Sequence, residues 1–225
     1  MNNKYERAAS GPIALAAVYL FTIYALYLSF VKAPAERLMG PVQRVFYFHV
    51  GSAVAAYCAF AVLLCAALAF LAYRSKLAEV YLRAGSETAL LFTTIVLATG
   101  MIWGHSAWNT WFRWEPRLVT FLLLWLIALS LVLLWRFAAR ETAAQHAAVL
   151  SILGAVMVPV VVYSIKLLPN MVQLHPEIVE NQGLKHPDYY AALFVSMGAL
   201  VLIQFLFVAL RARIGLLEIT IRKGR

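Results

Sequence analysis

The chain has 225 residues, 64% of them apolar and 13% charged, with a net charge of +9 and a mean hydropathy of +0.80. Soluble domains are about half apolar and about a quarter charged, so one soluble core of this size cannot hold this apolar surface and lipid must be the solvent. The positive balance belongs to Lys- and Arg-rich flanks of membrane segments, not to a nucleic-acid partner, and no length remains for a separate soluble domain.

Six apolar runs follow one another at about 11–30, 45–73, 87–103, 118–135, 147–168 and 189–210. Each is near the roughly 20 residues that carry a helix across about 30 Å of hydrocarbon. The runs are continuous, without the alternation of a barrel strand, and backbone groups in lipid must pair internally. The sequence therefore predicts an all-α integral membrane protein, one polytopic domain over 1–225. It has six transmembrane helices and a Trp-rich external loop between helices three and four. The first run is long enough to span, so it reads as a helix and not as a cleaved signal.

Basic residues set the orientation. With the N-terminus inside, Lys4, Arg7, Arg74, Lys76, Arg83, Arg136, Arg140, Arg211, Arg213, Arg222, Lys223 and Arg225 are cytoplasmic. Lys32, Arg37, Arg44, Arg113, Arg117, Lys166 and Lys185 are external. The bias predicts that both termini are cytoplasmic, and the external arginines then need a reason. The second run would rise roughly 43 Å as one helix, more than the membrane needs, so it tilts or projects at its outer end. His49 sits in its first outer turn or two.

Four of the six tryptophans, Trp103, Trp108, Trp111 and Trp114, fall in the connection between helices three and four. Trp108, Trp111 and Trp114 recur every third residue, which predicts a short interfacial helix with the indoles along one side. An aromatic belt at headgroup level is the plain explanation. A belt spreads over all helix ends, however, and Trp125 and Trp135 form no comparable cluster. A flat, apolar-faced ligand stacked on the indoles accounts for the concentration better. Arg113, Arg117 and Arg44 on the same side could fix anionic groups of that ligand in fork geometry; snorkelling to lipid phosphates is the alternative for each.

His49 and His175 lie in different external connections, on either side of the Trp loop in the sequence. Imidazole is a usual axial ligand of heme iron, and two such histidines beside an aromatic platform favour that role over a structural one. His105 and His186 are also external and compete for it, whereas His146 is at the cytoplasmic end. Glu115 could orient a histidine, pair with Arg113 or Arg117, or cap helix four ahead of Pro116; the structural roles are favoured. Cys58 and Cys65, seven apart on one helical face, read as small packing residues. No Cys-x-x-Cys-His occurs, which excludes covalent c-type heme attachment to this chain.

The stretch Trp108-Asn109-Thr110-Trp111-Phe112-Arg113-Trp114-Glu115-Pro116-Arg117-Leu118 resembles the tryptophan-rich "WWD" signature of heme-handling membrane proteins. Its closest branch is the heme exporter protein C family of cytochrome c maturation. Gly40-Pro41-Val42-Gln43-Arg44-Val45-Phe46-Tyr47-Phe48-His49-Val50 is similar to that family's segment with the first external histidine, and Leu174-His175-Pro176 to the segment with the second. Asn109 stands where the family usually has Gly, Phe112 where a second adjacent Trp is common, and Glu115 where Asp is usual. The resemblance implies a multi-pass protein of the bacterial inner membrane that takes part in cytochrome c-type biogenesis and heme transport. It would hold b-type, non-covalent, transient heme on the periplasmic face and pass it to a membrane-anchored heme chaperone. ABC transporter subunits of the maturation complex would be its neighbours. It also implies that His49 and His175 are axial ligands of the heme iron and that Trp108, Trp111 and Trp114 form the platform. Trp103, Arg44, Arg113 and Arg117 complete the expected heme-binding set.

Two other functions are compatible with six apolar helices. A b-type electron-transfer subunit also uses paired histidines, but normally places them within the helices. A channel or solute carrier usually carries a chain of acids or bases through its helix interiors, and here only Lys166 and Gln204 come near that. No nucleophile–base pair, metal cluster or phosphate loop stands out, so the sequence does not read as an enzyme.

Overall fold

The computed structural model describes residues 11–36, 40–168, 170–171 and 186–223. His175, Arg37 and Lys185 lie outside the described residues. Among the described residues six long helices follow in order: α1 Pro12–Tyr27, α2 Arg44–Tyr73, α3 Lys76–Trp108, α4 Pro116–Phe137, α5 Arg140–Leu167 and α6 Pro187–Lys223. All six are long and apolar enough to span a membrane. The one β feature among the described residues is an isolated bridge between Glu36 and Gly40.

The helices run alternately up and down, as side-chain contacts between their ends show. The start of α2 meets the end of α3 where His49 Nδ1 lies 3.0 Å from Thr99 Oγ1. The start of α4 meets the end of α5 where Arg117 Nη2 donates to the Val162 carbonyl at 2.7 Å. The end of α1 meets the start of α6 through Lys32 and Asp188, 3.1 Å apart. All of these lie at one end of the bundle, the Trp end. At the opposite end Arg211 of α6 grips Glu87 of α3 with two bonds, 2.6 Å from Nε and 3.0 Å from Nη2.

The central element is α2, which packs on α3, α5 and α6. Small residues let it do so, because helices in lipid associate by close packing and not by exclusion of water. Gly51 lies against α6, where an added Cβ would meet Leu200 Cδ1 at 2.7 Å and Met197 Cα at 3.1 Å. Gly85 of α3 accepts Leu63 in the same way, with the Leu63 Cδ2 at 2.9 Å. Ala55, Ala56, Ala59 and Ala67 of α2 are fully buried. One core joins α2 to α5 through Phe60, Leu63, Leu82, Leu124, Leu131 and Ala147. A second, with Leu28, Phe46, Tyr47 and Leu193, seats the end of α1 on α2 and α6. There α1 passes into a π-helical turn, Leu28–Lys32, and Ser29 and Ser196 share a buried hydrogen bond of 2.9 Å.

The expected boundaries need correction at α3, α5 and α6. Expected at 87–103, 147–168 and 189–210, they run Lys76–Trp108, Arg140–Leu167 and Pro187–Lys223. At 1.5 Å per residue α3 rises about 50 Å and α6 about 55 Å, well beyond the hydrocarbon. Hydropathy marks what lies in lipid, whereas a helix continues wherever its flank still has something to pack on. Val80 and Ala84 of the added part of α3 form a small core with Val208 and Ala212, where α6 passes its expected end, and the Glu87–Arg211 pair lies beside it.

Candidate functional site

α3 carries the first half of the Trp cluster. Trp103 and Trp108 both lie in its last turns, half-buried, with ring centroids 4.9 Å apart and planes at 83°. Edge-to-face contact of this kind is the favoured arrangement for two indoles. The helix stops at Asn109, whose φ of 52° is left-handed and whose N–H closes on the His105 carbonyl at 2.9 Å. Gly or Asn takes this conformation at the residue after a helix at least cost. Asn109 thus retains the backbone that the glycine usual at this point of the signature would give.

Because α3 ends there, the predicted interfacial helix does not form, and 109–115 is irregular. The indoles do not share one row. Trp111 stacks on His105, with centroids 4.1 Å apart and planes at 27°, while Trp114 takes Phe112 at its edge at 5.3 Å. Both are strongly exposed, Trp111 at 55% and Trp114 at 77%. The cluster is therefore two sheltered indoles on a helix and two open ones beyond it.

α4 begins at Pro116, with Glu115 at the N-cap position. Glu115 accepts an ion pair from Arg113 Nε at 2.9 Å and has only 5% of its side chain exposed. Its side chain makes no capping bond, and the pairing with Arg113 is formed. Arg117, one residue into α4, turns inward to the Val162 carbonyl. Arg44 opens α2 half-buried, next to Gln43, which donates to the Tyr47 hydroxyl at 2.9 Å.

His49 lies in the second turn of α2, half-buried, with its ring against α3. A Cβ built on Gly100 would meet His49 Cε1 at 3.0 Å, so glycine is what lets the imidazole approach α3 closely. Thr99 and Gly100 were not foreseen as part of the site; nothing in the local sequence of α3 pairs them with a histidine fifty residues earlier. Gly100 precedes Trp108 by eight residues, or about 12 Å along the helix. His49 therefore sits below the open tryptophans, at the level where Trp103 begins the cluster.

The competing histidines are engaged differently. His105 is under Trp111. His186 Nδ1 accepts from the Asp188 amide at 3.2 Å, and its ring meets Tyr189 edge-on. His146 is exposed in the second turn of α5, at the opposite end. Among the described residues no group of three His, Cys, Asp or Glu side chains is placed to hold a metal ion. Cys58 and Cys65 are free thiols.

Comparison with known proteins gives a consistent result. The family model described as heme exporter protein C matches residues 4–225. The heme exporter protein C of Bradyrhizobium diazoefficiens is 34% identical over 154 residues, 68% of this chain and 58% of that protein. Its counterpart in Escherichia coli K12 is 32% identical over 155 residues, 68% of this chain and 63% of the relative. That of Rhodobacter capsulatus is 33% identical over 146 residues, 64% and 60% of the two chains. The aligned part thus spans less than two thirds of the length of these relatives. With a family match over nearly its whole length, this six-helix chain belongs to the heme exporter protein C family.

Proposed function

We propose that the chain binds heme at its Trp end and presents it there for transfer in cytochrome c maturation. The observation that carries this reading is the company His49 keeps. A half-buried imidazole lies on α3 one turn from Trp103, and exposed indoles at Trp111 and Trp114 extend the same end outward. Flat apolar rings left open beside a nitrogen ligand suit a porphyrin. The name its relatives carry, heme exporter protein C, points to the same molecule.

In this reading His49 binds iron from the α2–α3 side and His175 supplies the second axial ligand. Trp103, Trp108, Trp111 and Trp114 contact the macrocycle. Arg44 and the Arg113–Glu115 pair lie at the rim, where the heme carboxylates would face water, and Arg117 braces α4 on α5. The heme is cargo, b-type and held without a covalent bond, since the chain lacks Cys-x-x-Cys-His. Its recipient is a membrane-anchored periplasmic chaperone, and the neighbouring subunits are those of an ABC transporter. The Trp end then faces the periplasm from the bacterial inner membrane, with both termini in the cytoplasm.

Purification with heme supplied, followed by absorption spectroscopy, tests this. A Soret band that depends on both His49 and His175 is expected. Stoichiometric heme that cycles with quinol would instead favour an electron-transfer subunit.

A further inference from the structure

We infer that Thr99 is the positioning residue for His49, holding the imidazole in the tautomer whose Nε2 is free to bind iron. A threonine hydroxyl has one proton and two lone pairs. Thr99 Oγ1 lies 2.7 Å from the Ile95 carbonyl and 3.2 Å from that of Val96, the usual back-bonding of threonine inside a helix. Carbonyl oxygens only accept, so the single proton is spent there. His49 Nδ1, 3.0 Å from the same oxygen, must then be the donor. A neutral imidazole that carries its proton on Nδ1 keeps its lone pair on Nε2.

This is the arrangement that prepares a histidine for a metal: a fixed N–H on one nitrogen sets the tautomer, turns the ring and leaves the other nitrogen basic. Gly100 completes it. Its missing Cβ is the space that His49 Cε1 occupies, so the ring can approach the helix closely enough to reach Thr99. Two adjacent residues of α3 thus decide the chemistry of a side chain on α2. The assignment of the tautomer stands on this geometry alone; its consequence for iron rests on the proposed function.

The test uses ring-nitrogen NMR on the full-length, heme-free chain in lipid nanodiscs, with isotope-labelled histidine. His49 signals are assigned by their loss in His49→Ala. The wild type should show a protonated Nδ1 and a bare Nε2. Thr99→Ser keeps the hydroxyl and should keep that pattern; Thr99→Val keeps the shape without the hydroxyl and should lose it. A wild-type proton on Nε2, or an unchanged pattern in Thr99→Val, would overturn the inference. With heme added, Thr99→Val should retain it about tenfold less tightly or worse, the range over which loss of a ligand's hydrogen-bond partner acts, and Thr99→Ser should match the wild type. If Thr99→Val retains heme fully while His49→Ala does not, Thr99 has no positioning role. If His49→Ala itself retains heme fully, the ligand reading fails, and the heme-free spectra still decide the tautomer.

Discussion

At the scale of single residues, the Trp end is held by backbone and pairing choices that are cheap to make and costly to break. Asn109 is an instance. Its left-handed backbone ends α3 and redirects the chain so that Trp111 and Trp114 leave the helix axis. Asn109→Gly should leave thermal stability nearly unchanged, because glycine takes this conformation freely. Asn109→Val should lower it by about 1–2 kcal/mol, the cost of a left-handed residue with a bulky Cβ, read from unfolding in detergent. Equal stability of the two variants would contradict the cap. This position was legible in part: glycine is usual there, and Asn is the common substitute wherever φ is positive. The positions of Thr99 and Gly100 were not legible, since a contact between residues fifty apart has no local signature. Nor was the pairing of the indoles. A three-residue repeat suggests a helical row, but it carries no information about a helix that has already stopped.

At the scale of elements, the number and order of helices followed from apolar runs of membrane length, and the six expected spans correspond to the six observed. The boundaries of α2 and α4 came close because their polar flanks begin where the helices end. α3 and α6 ran long because their basic and acidic flanks are satisfied by each other, through Glu87 and Arg211, which hydropathy reads as the end of a span. The pair is partly exposed, 38% for the glutamate and 20% for the arginine, so its worth is modest. Glu87→Ala should cost about 1 kcal/mol or less, and Arg211→Ala should cost less in that background than in the wild type, in a double-mutant cycle. Strict additivity of the two would show that the pair contributes nothing. Gly51 has more at stake. Gly51→Leu drives a side chain into Leu200 and the Met197 backbone and should destabilise the α2–α6 contact by about 1–3 kcal/mol or more. Unfolding at the wild-type temperature would sink that expectation.

At the scale of the whole molecule, α2 is the central element. It packs on three helices, presents His49 to α3, and starts at the end where the tryptophans gather. The basic residues concentrate at the other end, which is the asymmetry that orients membrane proteins. A reporter active only in the cytoplasm, fused after Arg225, should therefore be active; activity of a periplasm-dependent reporter at the same point would reverse the orientation. Heme binding through His49 is read most directly from the absorption spectrum of the full chain purified with heme, beside its His49→Ala variant. The wild type should show a Soret band that is lost or strongly reduced in the variant while both remain folded. A band of equal strength in the two, or none in either, would contradict it.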